Sequence, residues 1–158
     1  VPEAELLGDR GIGYYRIVPE DSGAATKVEA VRLGNQQAAA RFAEVAHRCD
    51  TLSPQLDAQD RGFFDQSLRL QARLMAAASE CTAACAAAYE SRQDLAAHAR
   101  HMQQAQTAAN TLTDLLAHND PTGPLQNWYA PETIFGLQET CEMIQRRVSG
   151  KVKPSGGR

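Results

Sequence analysis

Cys81 and Cys85 stand one helical turn apart in the run SECTAACAAAYE, residues 79–90, and His98 and His101 follow shortly after. Thiolate and imidazole suit zinc or copper, and an i, i+4 pair supplies two donors from one helix face. If the chain turns back near Ser91, Cys85 comes level with about His101 and Cys81 with about Gln104. Cys81, Cys85 and His101 are therefore the candidate metal ligands. Packing is the competing reading. Reduced cysteine behaves as a small buried hydrophobe, and here it is flanked by alanines. His101 follows Arg100 and precedes Met102, the better core position, which turns the imidazole sideways toward water. No CxxC pair is present, and a disulfide between Cys81 and Cys85 would need distorted geometry within a regular helix. The expectation is that these small side chains let two helices approach closely, and no metal or other cofactor is assigned.

The remaining polar residues yield no catalytic constellation. GxSxG, P-loop, HExxH and GxGxxG patterns are absent, and of the two Glu-x-x-His motifs that bundle di-metal sites require, only one, Glu44 to His47, is present. Glu132 and Glu139 read as a first-turn acid and a solvated face of the last helix, and Asp57, Asp60 and Asp65 with Arg61 as an acidic helix start. Catalysis, if any, would belong to an upstream domain. Trp128, the single tryptophan, adjoins Tyr129 in the loop HNDPTGPLQNWYAPET. Large aromatics in an aromatic-poor chain plug the open end of a core, so Trp128 is expected to be buried and Tyr129 to keep its hydroxyl at the surface. The functional alternative makes these two the contact residues for a sugar ring or a partner surface.

The elements that must position these groups are helical. Hydrophobic residues make up 43% of the 158 residues but aromatics only 6%, and alanine, the strongest helix former, is abundant. A net charge of −3 argues against a basic nucleic-acid binder, and no apolar run approaches the roughly 20 residues of a membrane span. Four cysteines in a chain of this size do not indicate a disulfide scaffold and leave the compartment undecided. The chain opens VPEAELLGDRG, without an initiator methionine or a signal pattern, and is expected to be a processed form or a piece of a longer polypeptide.

Residues 1–20, which include GIGYYRIVPE, read as a short extended lead-in or linker from an upstream domain. Val28, Val31, Ala38, Phe42, Val45 and Cys49 then recur at helical spacing and predict an amphipathic helix over 24–49, interrupted but not ended by Gly34. Ser53 before Pro54 predicts the capped start of a second helix over about 55–90. No glycine or proline occurs from Phe63 to Asp120. The break expected within this span is YESRQDL, where Ser91 and Asp94 imitate a capping box and open a third helix over about 92–118. Pro131 opens a fourth helix with the stripe Ile134, Leu137, Cys141, Ile144 and Val148, stopped by Gly150. Residues 151–158 complete a basic tail with Arg146 and Arg147 and are expected to be disordered. The fold class is therefore all-α: an antiparallel four-helix bundle over 21–150 preceded by a short extended segment.

Read in order, GYYRIVPED, EAVRLGNQQAAARF, RGFFDQSLRLQARLM and the closing NWY resemble the C-terminal helical region of large bacterial glycoside-hydrolase-like proteins, over roughly residues 13–148. In those relatives a lysine-rich stretch follows NWY, whereas APETIFG follows here. The resemblance implies catalytic carboxylates in an upstream domain, so none is carried over to this chain. The function expected is a non-catalytic helical accessory or interaction domain of a larger carbohydrate-active enzyme. Its partner would be the upstream domain of the same polypeptide or another protein, with carbohydrate entering only through the resemblance. The alternative is a free-standing bundle that binds a metal ion or small ligand.

Overall fold

The computed structural model describes residues 27–117, and every regular element among them is helical. Helix α1 spans Lys27–Leu52. A 3-10 turn, Ser53–Gln55, leads to the short α2, Ala58–Phe64, and a π-helical turn, Asp65–Arg69, joins α2 to α3, Leu70–Glu90. Helix α4 covers Leu95–Ala117. The extended lead-in, the fourth helix beginning at Pro131, the basic tail, and Trp128 and Tyr129 lie outside the described residues.

Helix α3 is the centre of this arrangement, with α1 and α4 both packed along it. Both pairs run antiparallel, as the cross-helix contacts show. The Cys81 thiol meets the Ala105 carbonyl and His98 meets the Ala88 carbonyl, so positions rise on α4 as they fall on α3. On the other side Arg32 pairs with Glu90, while Arg73 pairs with Asp50. Leu70, Leu74, Ala78, Cys81, Cys85 and Ala88, which recur at helical spacing in the sequence, are buried throughout. Much of it joins Ala105, Ala108, Ala109 and Leu112 of α4 in one apolar cluster. Short side chains carry little apolar area each, so cohesion here comes from many contacts made at close helix separation.

Three local expectations need correction. The first helix runs through Gly34 as expected and continues to Leu52, but its buried edge is displaced. Val45 is 39% exposed, whereas Ala46 and Ala39 are buried together with Val31 and Cys49. A small-residue edge lets α1 lie close to the alanine-rich α3, where a β-branched side chain would hold the two apart.

Ser53 does not cap the second helix. Asp57 does, its carboxylate accepting the backbone N–H groups of Gln59 and Asp60 at 3.0 Å. The Ser53 hydroxyl is buried and donates to Asp65 at 2.8 Å instead. The helical run therefore starts at Ala58 rather than near 55, and the π turn interrupts it. Arg69 bonds Asp65 from within that turn and also pairs with Asp50, while Arg61 donates to the carbonyls of Ser53 and Leu56. These contacts tie the α1–α2 connection to the π turn, the kind of local departure from α geometry that a side-chain network holds in place.

The break near Ser91 is present, with the capping roles exchanged. The Ser91 hydroxyl donates back to the carbonyls of Ala87 and Ala88 and closes α3. Asp94 opens α4, accepting from the N–H groups of Ala96 and Ala97 at 3.0 Å. A carboxylate reaches two free amides at a helix start more readily than a hydroxyl does, and its charge suits the positive helix end. The third helix accordingly starts at Leu95, not 92.

Candidate functional site

The structure places the two thiols in the apolar core cluster and the two imidazoles in hydrogen bonds. Cys81 and Cys85 are buried in the α3–α4 seam, and neither is in a disulfide. His98 lies at the hairpin end, where its Nδ1 donates to the Ala88 carbonyl at 2.9 Å, an acceptor that fixes the tautomer. His101 is half-buried, and its Nδ1 lies 3.0 Å from the side-chain oxygen of Gln104. Met102, its neighbour, takes the core position. Among the described residues no three histidine, cysteine, aspartate or glutamate side chains converge to hold a metal ion.

A concave feature of the described residues lies elsewhere. A groove of about 770 Å³ runs along α3 between α1 and α4. Its floor and α1 wall are almost wholly alanine: Ala39, Ala40 and Ala43 from α1, Ala83, Ala84 and Ala87 from α3. The α4 wall is polar, carrying His101, Gln104, Thr107 and Thr111. A smaller pocket of about 400 Å³ shares Gln36, Ala87 and His101 with it and reaches the hairpin end beside Arg32, Glu90 and Ser91. The helices form this groove because α1 and α3 carry mostly alanine where they line it, so little side-chain volume fills the space beside the α4 wall.

Glu80 is the carboxylate in this lining. It is exposed, and among the described residues it has no ion pair or hydrogen bond. The positions three and four residues away, Ala76, Ala77, Ala83 and Ala84, offer no cation. Asp60, in the first turn of α2, is likewise exposed and without an ion pair among the described residues, but most other carboxylates differ. Glu29 and Glu90 pair with Arg32, Glu44 with Arg48, Asp50 with Arg69 and Arg73, and Asp65 with Arg69. Asp57 and Asp94 spend their charge on helix starts. The Ala97 N–H, ahead of that of Ala96 and the charge of Arg100, holds the Asp94 carboxyl below its usual range.

Sequence reasoning passed over this groove. Its signal was present as alanines at helical spacing on two different helices, Ala39 with Ala43 and Ala83 with Ala87, but no pattern along one chain tells which two alanine edges will face the same space. No protein-family model matches the chain, and no curated protein or solved structure matches it significantly.

Proposed function

We propose that this chain is a non-catalytic helical interaction domain whose alanine-floored groove receives an α-helix of an adjoining protein domain. The groove itself carries this reading. Its α4 wall runs from His101 to Thr111, about 15 Å at 1.5 Å per residue, which matches nearly three turns of a docked helix. Alanine on two sides permits the short interaxial distances, about 8 Å, at which helix backbones come nearly into contact. The amide and hydroxyl groups of Gln36, Gln104, Thr107 and Thr111 supply the polar rim that such interfaces carry.

The finer architecture that fits this role is the antiparallel four-helix bundle with residues 1–20 as an extended lead-in. Its fourth helix, 131–150, would cover the face of α3 opposite the groove. Gln71, Ala78 and Thr82 share that face at 100° per residue and are all buried, which supports the placement and leaves the groove open. The glycoside-hydrolase-like resemblance adds a context, an accessory module beside a catalytic domain. There Trp128 fluorescence that responds to oligosaccharide would mark a sugar contact.

Site-specific photo-cross-linking tests the docking role. A photoreactive residue replacing Thr107 should form an adduct with one defined helical segment, mapped by mass spectrometry. The same residue at exposed Gln59 should not, and Ala40→Leu should suppress the Thr107 adduct. Equal labelling from both positions, or labelling indifferent to Ala40→Leu, would remove the groove from the function.

A further inference from the structure

We infer that the helix received by this groove presents a basic face, with a lysine or arginine seated on Glu80 and small residues a turn to either side. This rests on the docking reading above and adds the chemistry of the partner. Glu80 stands in the middle of α3, away from any helix end that would favour its charge, and has no partner among the described residues. It rises from a lining that is otherwise alanine, amide and hydroxyl apart from His101. A docked helix would strip water from this carboxylate. Left unpaired it would oppose docking, whereas a cation placed on it would favour docking and set the register. A helix bearing glutamate at that position is rejected on the same grounds, so one side chain supplies both attraction and discrimination. With alanines flanking Glu80, small side chains on the partner let the two helix backbones approach closely enough for the cation to reach it.

The probe is a synthetic helical peptide with alanine along one face and a single central lysine, compared with its lysine-to-glutamate twin. Binding to the full chain is followed by NMR shifts of groove residues and by fluorescence anisotropy. The lysine peptide should shift resonances of Ala40, Ala84 and Thr107, and the glutamate twin should bind at least about tenfold more weakly. Glu80→Gln should weaken the lysine peptide several-fold and remove most of its salt dependence, and Glu80→Lys should reverse the preference between the two peptides. Ala40→Leu and Ala43→Leu, both at exposed positions, separate the two layers of the proposal. If they abolish binding while Glu80→Gln and Glu80→Lys change nothing, the groove still docks helices and the basic partner is wrong. If the wild-type chain binds neither peptide, or the leucine variants bind as well as it does, the docking reading falls and this inference falls with it.

Discussion

The Cys81 thiol lies 3.7 Å from the carbonyl oxygen of Ala105, so α3 places a side chain against the backbone of α4 with nothing between them. Such closeness depends on Ala105, which is fully buried. Ala105→Leu should destabilise the protein by about 1–3 kcal/mol through overpacking. Urea denaturation would measure it, and an unchanged midpoint would mean that the seam is looser than this geometry requires.

The two cysteines should part company when replaced by serine. A serine at 81 faces the Ala105 carbonyl, while Cys85 is fully buried with no hydrogen-bond partner among the described residues. Alanine at either position should cost on the order of 1–2 kcal/mol from lost packing. Cys85→Ser should cost more than Cys81→Ser, because its hydroxyl has no acceptor across the seam and can only bond back to the Cys81 carbonyl four residues earlier, as Thr82 does to Ala78. Equal losses would show that the Ala105 carbonyl offers serine nothing.

Buried thiols should also react slowly. Iodoacetamide applied to the native protein should leave Cys49, Cys81 and Cys85 unmodified and label them after unfolding, as peptide mass spectrometry would show. Rapid native labelling of Cys85 would contradict its complete burial.

Ser53 and Asp65 form a latch between the α1–α2 connection and the π turn. Ser53→Ala leaves Asp65 with Arg69 but removes the buried hydroxyl, and a loss of about 1 kcal/mol is expected. Asp65→Asn should cost more, since it weakens both contacts. Hydrogen exchange gives the local readout: amides of residues 65–70 should lose protection before those of 78–88.

Asp94 should contribute to the acid limb of stability. Its folded-state pKa is lowered below the ordinary 3.8, so its contribution is complete above that value and is lost as pH falls through the lower folded value. Asp94→Asn keeps an oxygen for the Ala96 and Ala97 amides but removes the titration. Thermal unfolding of that variant should therefore fall less steeply below pH 4 than the wild type does, and parallel curves would assign the acid sensitivity to other groups.

Helical character, the buried stripe of α3 and the break near residue 91 were all legible along the chain, because each depends on neighbours within a few positions. An alanine-rich run without glycine or proline has no better local option than a helix, and the period of 3.6 residues marks which side is apolar. Capping was only half legible. Ser53 and Ser91 have the right chemistry for helix starts, but Asp57 and Asp94 are carboxylates four and three residues further on, and their charge suits the positive helix end. The freed Ser53 hydroxyl then bonds a residue twelve positions away, which no local pattern encodes. The edge of α1 that is buried, Ala46 in place of Val45, was settled by how near α3 lies. The groove, and the isolation of Glu80 within it, belong to the tertiary structure entirely: three separate helices must converge before alanine at 40, 43, 84 and 87 becomes a floor rather than a run of good helix formers. Sequence determines what each helix can bury, and the distances between helices decide what is left open.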